Sequence, residues 1–154
     1  MQKRTYLFQI FHLIDSFHQQ IIYHHYLILL LFQHLCQEIY NKQYTEADID
    51  YNNYQKPFFK DQQLKFNISH SGELVVCVLS NTLDLGVDVE MIKAIDLESF
   101  RSQMTPTEWK KVVAASNKLE AFYDYWTAKE AVVKAHGVGL SLPLKSFEIL
   151  EAKV

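Results

Sequence analysis

The chain has 154 residues, 49% of them hydrophobic and 21% charged, with a formal net charge of -3. That length allows one domain or two very small ones, and that balance describes a folded globular protein rather than a disordered one. A slightly acidic chain gives no support for nucleic-acid binding, and the longest apolar run, Tyr26–Phe32, is too short to span a membrane.

Residues 1–35 carry only Lys3, Arg4 and Asp15 as charges, yet hold five of the seven histidines: His12, His18, His24, His25 and His34. These histidines show no metal-ligand spacing and read as core or surface residues. No small-residue cleavage site follows the first apolar stretch, so no signal peptide is expected and the protein is assigned to the cytoplasm. Cys36 and Cys77 cannot build a disulfide framework and read as buried free thiols in a reducing compartment. A helix is expected from about Phe17 to Tyr40, although its apolar residues are nearly continuous rather than one-faced. Gln43–Asp50 reads as a turn-rich connection, and Tyr51–Lys65, interrupted by Lys56-Pro57, as a loop.

Phe66-Asn67-Ile68 then forms a short strand, with Ser69-His70-Ser71-Gly72 as a tight turn after it. Glu73–Ser80 is rich in valine and fits a buried strand, joined through Asn81-Thr82 to a second hairpin strand, Leu83–Glu90. In that strand Leu85, Val87 and Val89 face one way, and Gly86, Asp88 and Glu90 the other. Thr105-Pro106-Thr107-Glu108 is a helix start with proline at the first helical position and capping-box spacing. The long helix Leu119–His136 stops at Gly137-Val138-Gly139, and Phe147–Leu150 is expected as a final strand. The order is that of an α+β fold.

One carboxylate stands out. Leu119, Phe122, Tyr123, Trp126 and Val133 recur at three- and four-residue steps, and at roughly 100° per residue Glu130 projects about 40° from Trp126, inside the apolar stripe. An unpaired charge there is costly, so Glu130 should have a cation, a metal or a catalytic task. Asp88 and Glu90, two residues apart on a strand, share one face and repel unless a cation sits between them; oxygen ligands of this kind suit magnesium. Taken alone, that pair is more often a solvated hairpin face.

Glu130 and Lys134 have the spacing of a helical ion pair, commonly a surface feature. Lys134 nevertheless lies at the edge of the stripe, where its ammonium can meet a phosphate, and Lys129 is similarly ambiguous. The turn holding His70 has amides and hydroxyls that can bind an anion, against the ordinary reading of a loop histidine. Lys56 likewise reads as a single exposed lysine unless a site surrounds it, and helix capping accounts for Glu108. The four glycines, at 72, 86, 137 and 139, each adjoin one of these motifs.

Four blocks in order resemble the 4'-phosphopantetheinyl transferases of the surfactin-synthetase-activating type. They are Tyr54-Gln55-Lys56-Pro57, Phe66-Asn67-Ile68-Ser69-His70-Ser71, Gly86-Val87-Asp88-Val89-Glu90 and Trp126-Thr127-Ala128-Lys129-Glu130-Ala131-Val132-Val133-Lys134. The resemblance covers about residues 54–147. It implies a pseudo-duplicated pair of α+β halves, here residues 1–84 and 85–154, short at both ends, with the site between them. It also implies transfer of the phosphopantetheine arm of coenzyme A to a serine of an apo acyl- or peptidyl-carrier protein, releasing adenosine 3',5'-bisphosphate.

By the same resemblance Asp88, Glu90 and Glu130 would hold Mg²⁺ against the coenzyme A pyrophosphate. Glu130 would activate the carrier serine and Lys134 would stabilise the leaving phosphate. Lys56, Ser69, His70, Asp88 and Lys129 would contact coenzyme A. The sequence departs from the family at Tyr23-His24-His25-Tyr26-Leu27, where histidine stands in place of arginine, and at Gln55, in place of a glycine. A competing reading is a shortened, non-catalytic relative that binds coenzyme A or a carrier protein without turnover; a third is another magnesium-dependent phosphate enzyme, such as a phosphodiesterase.

Overall fold

A computed structural model of the chain describes residues 5–11, 30 and 32–150. Its elements run β1 (Thr5–Phe11), α1 (residues 32–40), β2 (Ile49–Tyr51), β3 (Pro57–Phe59), β4 (Lys65–Ser71), β5 (Leu74–Ser80), α2 (Pro106–Ala114) and α3 (Lys118–His136), with short 3-10 turns among them. The fold is α+β, as expected. Of the helix expected over Phe17–Tyr40, residues 32–40 are helical, and the stretch before residue 30 lies outside the described residues, as do His12, His18, His24 and His25.

The valine-rich run makes β5 the centre of an antiparallel sheet ordered β1-β5-β4, with Ser80 paired to both Thr5 and Lys65. All residues of β5 after Leu74 are buried, so the strand is covered on both faces, as its continuous apolar character demands. One face carries Cys77 and Leu79 into a core with Phe32, Leu35 and Cys36 of α1 and with Tyr44, Phe59, Leu64 and Phe66. Tyr44 stacks on Phe59 at 3.6 Å between ring centroids, and Phe32 on the same ring at 5.0 Å. Each such side chain contributes about 1.5–3 kcal/mol by leaving water. Burial pushes the thiols of Cys36 and Cys77 up to about 12, which keeps both protonated and unreactive.

A second core joins the last two helices: Met104, Trp109 and Val112 pack against Phe122 and Tyr125 of α3. The Thr105 capping box opens α2 as its spacing foretold, and Gly137 closes α3 at φ 79°, a left-handed conformation that glycine adopts freely.

Four expectations need correction. Tyr51–Lys65 is not all loop: β2 and β3 form a two-stranded hairpin, and Pro57 occupies the first position of β3, where a missing N–H is tolerated. Ser69, His70 and Ser71 continue β4, paired with Val76, Val75 and Leu74, so the turn falls at Gly72-Glu73 instead. Leu83–Glu90 is not a ladder strand, because side chains of β4 rather than a backbone edge receive its N–H groups. Residues 147–150 are likewise no strand; Lys129 and Glu108 hold the Phe147 carbonyl and the Ile149 N–H.

Gly86 fixes the distance between the 83–91 segment and α3. A Cβ there would lie 2.0 Å from the Ala131 carbonyl oxygen and 2.4 Å from the Ala135 nitrogen, and helix backbone cannot give way as a flexible side chain can. Gly86→Ala is therefore expected to cost at least about 1–3 kcal/mol, read as a lower denaturation midpoint. An unchanged midpoint would contradict this packing.

Candidate active site

The polar row of β4 builds the site. Asn67, Ser69 and Ser71 alternate with Phe66, Ile68 and His70, so the row faces away from the α1 core. Asn67 Oδ1 accepts from Val87 N at 2.8 Å, Ser69 Oγ from Val89 N at 3.3 Å and Ser71 Oγ from Met91 N at 2.9 Å. This side-chain ladder lays Asp88 and Glu90 along the sheet. The hydroxyls then donate to the intervening carboxylates, Ser69 Oγ to Asp88 Oδ1 and Ser71 Oγ to Glu90 Oε2, each at 3.0 Å.

Helix α3 supplies the rest. Lys134 Nζ donates to Asp88 Oδ1 at 2.6 Å and to Ser69 Oγ at 2.9 Å. Asp88 is nearly enclosed, its side chain 6% exposed, so it needs this cation. Its second oxygen, Oδ2, is buried and has no hydrogen-bond partner among the described residues.

Glu130 stands half-buried beside them. Burial raises its carboxyl above the ordinary range, and the charges of Asp88 and Glu90 raise it further against the opposing Lys134. The four charged groups thus share one electrostatic neighbourhood. Among the described residues, however, no group of three or more Asp, Glu, His or Cys side chains is gathered closely enough to hold a metal ion. The expected three-carboxylate arrangement is not pre-assembled, because carboxylates without a bound cation repel and the Lys134 ammonium sits on Asp88. The donor chemistry still suits a hard cation: all three groups offer oxygen, and Asp88 Oδ2 is an acceptor without a donor.

A cleft of about 290 Å³ opens beside this cluster, bordered by Lys56-Pro57, Asn67-Ile68, Glu130, Lys134 and Gly137. Lys56 is tied into the frame, its Nζ donating to the Ala135 carbonyl at 3.0 Å and, more weakly, the Leu85 carbonyl at 3.4 Å. Burial lowers its pKa. Asn52 organises the loop before it, accepting from the Tyr54 and Lys56 N–H groups at 2.9 Å and donating to the Gly137 carbonyl at 2.8 Å.

That tight loop puts Gln55 at φ 65°. A side chain in this region costs about 1–2 kcal/mol. Gln55→Gly is expected to raise stability by about 0.5–1 kcal/mol after the extra freedom of glycine in the unfolded chain is deducted. A lower melting temperature would refute this.

Two expected site residues lie elsewhere. Lys129 is fully buried on the far side of α3, where Nζ meets Glu108 Oε2 at 2.9 Å, the Leu144 carbonyl at 2.7 Å and the Phe147 carbonyl at 2.8 Å. It does not border the cleft, because its three donors are already taken. His70 is exposed, and strand alternation sets it on the opposite face from Ser69 and Ser71. Sequence reasoning missed Asn52, Asn67 and Ser71, and it credited Glu108 with capping alone. For Asn67 and Ser71 a signal was present, the polar residues at every second position between Phe66, Ile68 and His70; Asn52 left none.

Residues 84–154 match the model of the 4'-phosphopantetheinyl transferase superfamily. The chain is 40% identical over 100 residues to the 4'-phosphopantetheinyl transferase gsp of Aneurinibacillus migulanus, covering 64% of this chain and 41% of that protein. It is 35% identical over 122 residues to the 4'-phosphopantetheinyl transferase Sfp of Bacillus subtilis, covering 75% of this chain and 54% of the other. Against the 4'-phosphopantetheinyl transferase HetI of Nostoc it is 34% identical over 112 residues, 68% of this chain and 47% of HetI. The chain spans about half the length of the curated relatives it matches.

Proposed function

We propose, for a chain that belongs through residues 84–154 to the 4'-phosphopantetheinyl transferase superfamily, that it transfers the phosphopantetheine arm of coenzyme A to a serine of an apo acyl- or peptidyl-carrier protein. The carrying observation is the Lys134–Asp88 ion pair beside a cleft that Glu130 borders, with one buried carboxylate oxygen, Asp88 Oδ2, left without a partner among the described residues. Asp88, Glu90 and Glu130 would hold Mg²⁺, which when bound neutralises the charge of the pyrophosphate and its leaving group.

The chain's own residues do the remaining work. Glu130, which borders the cleft, accepts the proton as the carrier serine oxygen attacks the β-phosphorus of coenzyme A. The bond from that phosphorus to the bridging oxygen breaks, and the electron pair leaves with adenosine 3',5'-bisphosphate, whose new charge Lys134 balances. Lys56, which borders the cleft, faces the coenzyme phosphates. The buried free thiols fit work in a reducing cytoplasm, and the net charge of -3 favours no nucleic-acid partner.

A second reading, binding of coenzyme A without turnover, is favoured by one observation: the Lys134 ammonium is already committed to Asp88 and Ser69. Chromatography of the reaction with an apo carrier separates the two. Release of adenosine 3',5'-bisphosphate that requires both Mg²⁺ and carrier supports transfer; bound coenzyme A with no bisphosphate supports the second reading.

A further inference from the structure

The hydroxyls of Ser69 and Ser71 repeat one arrangement two residues apart. Each accepts from the backbone N–H of one residue, Val89 or Met91, and donates to the carboxylate of the residue before it, Asp88 or Glu90. A serine hydroxyl has one proton and two lone pairs. At Ser69 all three are used, since Lys134 Nζ takes the second lone pair. No capacity remains there for a phosphate. At Asp88 the consequence is a division of labour: Oδ1 faces Ser69 and Lys134, while Oδ2 is buried and has no partner among the described residues.

We propose that Ser69 and Ser71 are positioning residues that template the acidic segment, turning Asp88 Oδ2 and the free side of Glu90 toward the cation while holding the Val89 and Met91 amides in register. Among the described residues the Ser71 hydroxyl bonds only to this segment, through Glu90 and Met91, which makes it the cleaner test. The inference rests on the cation site proposed above. Its physical basis is general: groups that hydrogen-bond to metal-binding carboxylates fix their orientation, and losing one lowers metal affinity by about 10–100-fold.

The experiment titrates Mn²⁺, as a paramagnetic substitute for Mg²⁺, into the full chain and its Ser71→Ala, Ser71→Thr and Ser69→Ala variants, while hydrogen exchange follows the Val89 and Met91 amides. Ser71→Ala should bind Mn²⁺ at least tenfold more weakly and lose protection at Met91 but not at Val89. Ser71→Thr, which keeps the hydroxyl, should restore both. Ser69→Ala should weaken binding and expose Val89. Wild-type and Ser71→Ala chains of equal affinity overturn the inference and leave the cation site standing. A folded wild-type chain that binds no Mn²⁺ overturns the cation site and the inference together.

Discussion

Lys129→Met is expected to destabilise the chain by about 3–5 kcal/mol, the cost of stranding a charged partner in a buried ion pair. The lysine and Glu108 are both 0% exposed at their side chains, and Glu108 is tied further by the Thr105 and Ile149 N–H groups, each 2.8 Å away. Without the ammonium, the Leu144 and Phe147 carbonyls also lose their donor, and the 144–149 segment loses its anchor on α2 and α3. The pH dependence carries a sign. Burial alone would raise Glu108, but the two backbone N–H donors and Lys129 outweigh it and hold the carboxyl below its ordinary value of 4.5. A depressed carboxyl adds stability above 4.5 that is lost as pH falls through the folded value. The gap between wild type and Lys129→Met should therefore be widest near neutral pH and narrow in acid. Urea denaturation at several pH values measures it; a neutral-pH cost below about 1 kcal/mol would place this pair among the surface bridges that contribute little.

The second large effect is at Glu130, where stability and function should move in opposite directions. Its carboxyl is raised, so in the cation-free chain its contribution to stability falls as pH rises from the ordinary 4.5 through the folded value. Glu130→Gln does not titrate and keeps the shape. Without Mg²⁺ it should gain about 0.5–2 kcal/mol at neutral pH, the usual scale when a functional group held at a cost is neutralised, and little in acid. The same change should lower transfer by at least about 10²–10⁴-fold, the share of a general base. Added Mg²⁺ should raise the melting temperature of wild type more than that of the variant. A Glu130→Gln chain that is less stable at neutral pH and still active would remove both roles.

What the sequence discloses depends on whether the deciding contact is local. The capping box at Thr105 and the Gly137 stop lie within one turn of the helix ends they set, and the start of α2 and the end of α3 are readable from them. The inner face of α3 was less readable. Periodicity placed Glu130 within the apolar stripe, yet the buried row is Phe122, Tyr125, Lys129 and Val133, with Glu130 at its flank. Neighbouring residues differ by roughly 100° around a helix, so a broad stripe cannot say which of two adjacent charges goes inward. Glu108, distant in sequence, decides it by offering Lys129 a buried partner.

The acidic segment shows the same limit from another side. Alternation along 85–90 is identical whether its N–H groups meet a neighbouring backbone or the Asn67, Ser69 and Ser71 side chains, so a ladder strand was the natural reading and the side-chain ladder was invisible. The ion pair of Asp88 with Lys134, by contrast, joins residue types that need one another, and both stand in motifs legible in the sequence.

The central claim, that this cluster serves phosphopantetheine transfer, is tested most directly by the intact mass of an apo carrier protein after incubation with the chain, coenzyme A and Mg²⁺. The account predicts a mass increase of one phosphopantetheine group on the carrier serine, absent without Mg²⁺ and formed at least about 100-fold more slowly with Glu130→Gln. An unmodified carrier after incubation with folded wild-type chain, across several acyl- and peptidyl-carrier proteins, would contradict it.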